Sequence, residues 1–357
     1  MKNYRKVHDF YFEDDEFDII SRIFPEYFID QHLESDGVNQ EFALRFLQNG
    51  LNSVLNSFLN SGYSAKGFLM YPLVRDISKS NIHSLIRLEK VADFLSKNGF
   101  DFSESLKVNT ARLNSRKSAM LLSALHKDLS LIKNKQTKAI RKSKCSEFGL
   151  KGCKKEDIDY LKPLQELKYY AEKNLRKYLA GFYLHGSLAT QDYVRGWSDA
   201  DTLSIVSKQA IDNAESLLEL RKKMYSMRYF FYKIDPLQHH GSIVISEYDL
   251  DNYCQTYFPV PIFRYAKSFF KDDRISQFKA RSFEDEAYAK LFWFVNYFRN
   301  LKIKKSYRLG SYGMKALLHS VTLFPSLYLQ AKSTLVYKKF SFGIAKKDFE
   351  KKNMGSY

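Results

Sequence analysis

Apolar residues three and four positions apart dominate the first third of the chain. The stretches Gln40 to Asn60 (QEFALRFLQNGLNSVLNSFLN), Ile82 to Leu95 and Ser115 to Ile132 all carry this spacing, which predicts packed helices. No catalytic cluster stands out there; His8, Asp14, Asp15 and Glu16 read as a solvated face. The pattern then changes. A helix is expected from roughly Leu161 to Leu179, followed by an apolar strand from Gly181 to His185 that ends at Gly186. Leu188 to Tyr193 reads as a short helix, Leu203 to Val206 as a second strand, Ile211 to Lys233 as a helix and Ser242 to Ser246 as a third strand. Beyond about Asp251 helical spacing returns. Phe283 to Leu301 is apolar on one face, with Trp293 and four phenylalanines, and reads as core packing. Gly310 to Lys332 reads as a second helix, interrupted at Pro325. The expected class is therefore α+β: a small mixed sheet with helices in residues 156–250, a mainly helical region over 1–155 ending in a basic linker, and a helical region over 251–357.

The chemistry concentrates between Gly181 and Val206, GFYLHGSLATQDYVRGWSDADTLSIV. Side chains alternate faces along a strand, so Asp199 and Asp201 are expected on one side. Two carboxylates held that close repel unless a cation lies between them, and Mg²⁺ with phosphate oxygens and water suits such a pair. Gly186 and Ser187, at a strand-to-helix turn, allow backbone N–H groups and a hydroxyl to approach phosphate. Ser198 is placed to cap or steady the turn into the second strand.

This segment resembles the DNA polymerase beta-like nucleotidyltransferase superfamily, whose signature is an apolar strand, Gly-Ser, a spacer, and Asp-x-Asp or Asp-x-Glu on the next strand. The matching residues are Gly186, Ser187, Asp199 and Asp201. The resemblance implies a nucleotidyltransferase core over residues 156–250, with Asp199 and Asp201 as metal ligands and catalytic residues and Gly186, Ser187 and Ser198 at the nucleotide. Mg²⁺ or Mn²⁺ is the implied cofactor and a nucleoside triphosphate, ATP by preference, the donor. It further implies that the C-terminal helical region closes the cleft, with Lys338, Lys339 and Ser341 of the run Tyr337 to Phe342 contacting phosphates. The chain departs from the pattern at Ala200 and Thr202, where aliphatic residues are usual, and in lacking an obvious third carboxylate.

For that third group two readings stay open. His239 or His240, just before the third strand, could act as metal ligand or general base. Alternatively, Asp235, on the turn before Pro236, could fold back towards the metal.

Composition adds boundaries to this picture. With 357 residues, 45% of them hydrophobic, the chain can bury more than one core, and nothing in it suggests disorder. No apolar run reaches the roughly 18 residues of a membrane span, and the start lacks a secretory apolar core. Cys145, Cys153 and Cys254 have neither zinc spacing nor an even number, so free thiols in a cytoplasmic protein are expected. The formal charge of +17 exceeds what a triphosphate site needs. Nine basic residues against one acid lie between Lys133 and Lys155, and more recur at Lys302, Lys304, Lys305, Arg308, Lys338, Lys339, Lys346 and Lys347. The expected reaction is transfer of a nucleoside monophosphate, AMP by preference, to a hydroxyl on a small molecule or protein, with release of pyrophosphate. The basic excess keeps an RNA-directed transferase as an alternative. The departures at Ala200 and Thr202 keep a catalytically inert nucleotide- or RNA-binding regulator.

Overall fold

The computed structural model describes residues 40–60, 79–132, 137–238, 240–256, 258–303 and 311–354. His8 to Glu16, Lys133, Lys135, His239, Lys304, Lys305, Arg308 and Gly310 lie outside them.

Three N-terminal helices form as the apolar spacing predicts: α1 (Gln40–Leu59), α2 (Lys79–Lys97) and α3 (Ser115–Leu131). Asn114 caps α3, its side chain accepting the Lys117 N–H at 2.9 Å, which satisfies one of the donors a helix start leaves open. The basic run expected to be a linker instead contributes two short strands, β1 (Lys138–Arg141) and β2 (Ser146–Glu147). Lys142, between them, is buried and ion-paired with Asp273.

Helix α4 (Ile158–Asn174) leads to β3 (Leu179–Leu184), and the short α5 (Gly186–Thr190) follows. Next come β4 (Thr202–Val206), a single helical turn α6 (Lys208–Ile211) and the long α7 (Ala214–Ile234). The one helix expected from Ile211 to Lys233 is thus split. Asn213 accepts the Ser216 N–H at 3.0 Å and starts a new helix there, a competition between side chain and backbone typical of Asn. Strand β5 (Ile243–Ser246) precedes β6 (Lys267–Ser268) and β7 (Gln277–Ala280), and α8 (Glu284–Ile303), α9 (Ser311–Ala331) and α10 (Lys338–Met354) complete the order.

The main sheet runs β2-β6-β3-β4-β5. The central β3–β4 pair is antiparallel and β4–β5 parallel, so the sheet is mixed and the chain is α+β. A separate antiparallel pair joins β1 to β7. The main sheet draws strands from residues 146 to 268, across the boundaries at 155 and 250 expected from helical spacing alone. Strands of two residues carry too little periodicity to be read in advance.

Both faces of the sheet are covered, which is why its strands read as continuous apolar runs. Phe182, Leu184, Val206 and Val244 face the large core shared with the N-terminal helices, α4 and α7. Tyr183, Leu203, Ile205 and Ile245 face a second core with Phe258, Phe263 and Phe278. Helix α1 lies against β5: Asn56 accepts the Val244 N–H at 2.8 Å and Asn60 donates to the Ser242 carbonyl at 2.7 Å. A buried Arg281–Glu286 pair at 2.5 Å also reaches Gln48 and Asn49 of α1. That contact ties the first described helix to the start of α8.

Candidate metal centre

The site begins where β3 ends. The His185 N–H donates to the Asp201 carbonyl at 2.9 Å, carrying the β3–β4 pairing one step past the strands. Gly186 then turns into α5 with φ of 70°, a left-handed conformation that a side chain disfavours. A Cβ on Gly186 would collide with Oδ2 of Asp201. Glycine is needed here twice, for the turn and for the approach of that carboxylate.

Asp199 and Asp201 lie in the extended lead-in to β4, as the alternation argument requires. Ala200 between them is fully buried, so the carboxylates project the other way. Both meet one nitrogen: Nε2 of His240 is 3.2 Å from Asp199 Oδ2 and 3.3 Å from Asp201 Oδ1. Ligand atoms of Asp199, Asp201 and His240 all fall within 4.8 Å of one another. Among the described residues this is the one cluster of His, Cys, Asp or Glu with spacing fit to hold a metal ion.

His240 is aimed by its neighbours. Its Nδ1 lies 2.9 Å from the Gly241 carbonyl oxygen, which can only accept, so Nδ1 carries a hydrogen. Nε2 is then the nitrogen that either takes a second proton or offers a lone pair to a metal. Buried Gln238 locks the arrangement. Its Oε1 accepts the Ala200 N–H at 3.0 Å and its Nε2 donates to the His240 carbonyl at 2.9 Å. One amide thereby fastens the His240 segment to the Asp199–Asp201 segment.

The electrostatics follow from this geometry. Burial opposes charge on His240, but its hydrogen bonds to Asp199 and Asp201 prevail and hold the imidazole well above its usual range. Burial and the Asp199 charge push Asp201 up; the His240 hydrogen bond and the nearby histidines outweigh them and leave it below the ordinary carboxylate value. His185, by contrast, is pushed down by burial, and its Nε2 is enclosed with no hydrogen-bond partner among the described residues.

Asp235 goes elsewhere. It is fully buried at the end of α7; its Oδ1 accepts the Leu237 N–H at 3.0 Å and its Oδ2 is ion-paired with Lys315 of α9. Burial raises its pKa, and the Lys315 hydrogen bond works against that rise. Lys315 Nζ is also 4.0 Å from Asp199 Oδ2. Of the alternatives for a third group, His240 touches both aspartates, Asp235 reaches Asp199 alone, through Lys315, and His239 lies outside the described residues.

The remaining expected residues are spread around this cluster. Ser187 is half-buried in the first turn of α5. The Ser198 hydroxyl accepts the Val194 N–H at 2.9 Å and so steadies the turn before the aspartates. Helix α10 begins beside α5: Tyr337 O–H is 3.2 Å from Thr190 Oγ1, and Lys339 pairs with Asp192 at 3.0 Å. The Tyr337 ring stacks on Tyr265 at 4.6 Å. Lys338 is half-buried at the same helix start. Ser341 is buried and its hydroxyl donates to the Lys338 carbonyl at 2.7 Å, so it serves the helix's own backbone.

Gln238 and Lys315 were not foreseen from the sequence. Gln238 carried a weak signal in its closeness to His240, whereas Lys315 sits inside an apolar helix some eighty residues from its partner Asp235. The three cysteines are free thiols. No described helix is long and apolar enough to cross a membrane. No protein-family model matches the chain, and neither does any curated protein or solved structure.

Proposed function

We propose that this chain is a metal-dependent nucleotidyltransferase that moves a nucleoside monophosphate, AMP by preference, from a nucleoside triphosphate to a hydroxyl on a small molecule or protein. The observation that carries the reading is the convergence of Asp199, Asp201 and His240 Nε2 beside the glycine turn at Gly186. Two carboxylates and one imidazole suit a divalent ion, and the nitrogen donor tilts the choice from Mg²⁺ towards Mn²⁺. Such an ion supplies neutralisation of phosphate charge and stabilisation of the attacking and leaving oxygens.

The chain's own groups do the rest. Asp199 and Asp201 would hold the ion. Gly186 keeps the first turn of α5 open to a phosphate tail, with the Ser187 hydroxyl at hand. Gln238 keeps His240 from swinging away. Lys338 and Lys339, at the start of α10 beside α5, supply positive charge at the far end of the triphosphate, where an ammonium makes a point contact. Positioning and electrostatics are the main demands of phosphoryl transfer, and this site is built for both.

The test is pyrophosphate release from purified protein with each nucleoside triphosphate and Mg²⁺ or Mn²⁺. Small-molecule extract, protein or bulk transfer RNA would be supplied as acceptor. The Asp199→Asn/Asp201→Asn variant is expected to lose more than about 100-fold in rate, the upper end for losing a group that merely orients a metal ligand. Release unchanged in that variant would refute the assignment. Release with transfer RNA alone would replace the small-molecule or protein acceptor by RNA.

A further inference from the structure

We infer that the centre takes a single divalent ion, with the Lys315 ammonium standing where a second ion would otherwise bind; this rests on the metal centre proposed above. Sites with two divalent ions place them about 3.5–4 Å apart and share carboxylates between them. Here Asp199 Oδ2 is the shared atom, 3.2 Å from His240 Nε2 on the candidate metal cluster and 4.0 Å from Lys315 Nζ. A further buried carboxylate, Asp235, is committed: one oxygen is ion-paired with Lys315 and the other accepts the Leu237 N–H. Its side chain is fully enclosed, and that of Lys315 nearly so.

Lys315 needs no loading and stays with the helix that carries it. Lys315 thereby acts as a positioning residue, fixing Asp235 and Asp199 relative to each other.

Mn²⁺ binding followed by electron paramagnetic resonance, with the unreactive α,β-methylene analogue of ATP present, tests this directly. Wild-type protein is expected to bind one Mn²⁺ per chain and to give the spectrum of an isolated ion. In Lys315→Ala, Asp235 and Asp199 are released and a second Mn²⁺ is expected to enter, adding a spin-coupled pair signal. Lys315→Arg retains the charge and is expected to stay at one ion. A coupled pair in the wild-type protein would overturn the inference, as would a folded Lys315→Ala that remains at one ion. Should Lys315→Ala fail to fold, Lys315→Met, which keeps the length of the buried side chain without its charge, is measured instead: a second Mn²⁺ is expected, and a single ion would overturn the inference. Absence of any bound Mn²⁺ in the wild type would overturn the metal centre itself, a different failure from that of the lysine.

Discussion

Gln238 shows how much of the site depends on a residue with no chemistry of its own. Its amide spans the Ala200 N–H and the His240 carbonyl. Gln238→Leu keeps the volume and the burial but removes both bonds. The expected result is a 10- to 100-fold loss of Mn²⁺ affinity, roughly the scale seen when a group that orients a metal ligand is removed. Equilibrium dialysis measures it, with circular dichroism to show that the helices persist. Unchanged affinity would mean that His240 is held in place by other contacts. Gly186 belongs to the same scale. Its positive φ and the closeness of Asp201 Oδ2 exclude a side chain for separate reasons, so even alanine must displace the carboxylate or the turn.

At the scale of elements, the site is assembled from three connections rather than from one motif. The β3–α5 turn brings Gly186, the lead-in to β4 brings the aspartates, and the segment from α7 to β5 brings Gln238 and His240. Two C-terminal helices then complete it: α9 inserts Lys315 and α10 docks at α5 through Tyr337 and Lys339. The Lys339–Asp192 pair is half-exposed, so its loss should change stability by less than about 1 kcal/mol. Contact with a triphosphate is a different matter, since a hydrogen bond to a charged group is worth roughly 1.5–3 kcal/mol. Lys339→Ala is therefore expected to raise the KM for nucleotide about tenfold or more, with the melting temperature nearly unchanged. Steady-state kinetics beside a thermal melt separates the two effects. An unchanged KM would confine Lys339 to docking α10.

For the whole molecule, a buried pair outside the candidate metal cluster contributes to the pH dependence of stability. His126 of α3 is enclosed, and burial drives its pKa down to about 3. Asp249, just after β5, is also enclosed, and burial drives its pKa up to about 6 despite hydrogen bonds from Ser246, Asn52 and Gln48. The Ser246 hydroxyl lies between them, donating to Asp249 at 2.6 Å and sitting 3.4 Å from His126 Nδ1, with the Tyr248 ring alongside. The two groups act with opposite sign. As pH falls below the ordinary histidine value, the unfolded chain takes up a proton that folded His126 refuses, and stability drops. Asp249 contributes stability that is complete below the ordinary carboxylate value and is lost as pH rises through about 6. Between about pH 4 and 6 each slope is roughly 1.4 kcal/mol per unit, so the two cancel. Asp249→Asn removes one side of this balance. Its stability relative to wild type should fall by about 1.4 kcal/mol for each unit of acidification between pH 6 and 4, read from urea unfolding. Parallel curves for the two proteins would show that Asp249 is ionised when folded.

The sequence by itself determined the long helices other than α10, the three motif strands and the face on which Asp199 and Asp201 lie, because these follow from periodicity that neighbouring residues share. It also marked Gly186, whose role rests on a local turn. Tertiary structure decided what periodicity cannot reach. Strands β2 and β6 are two residues each and exist through their pairing, so the sheet's edge was invisible and the basic run around Lys142 was read as a linker. That His240 and not Asp235 contacts both aspartates is set by how the chain crosses a turn. Lys315 required knowing which helix descends on the site. A contact between residues eighty positions apart leaves no periodic trace in either segment, since it is fixed by packing rather than by the local chain.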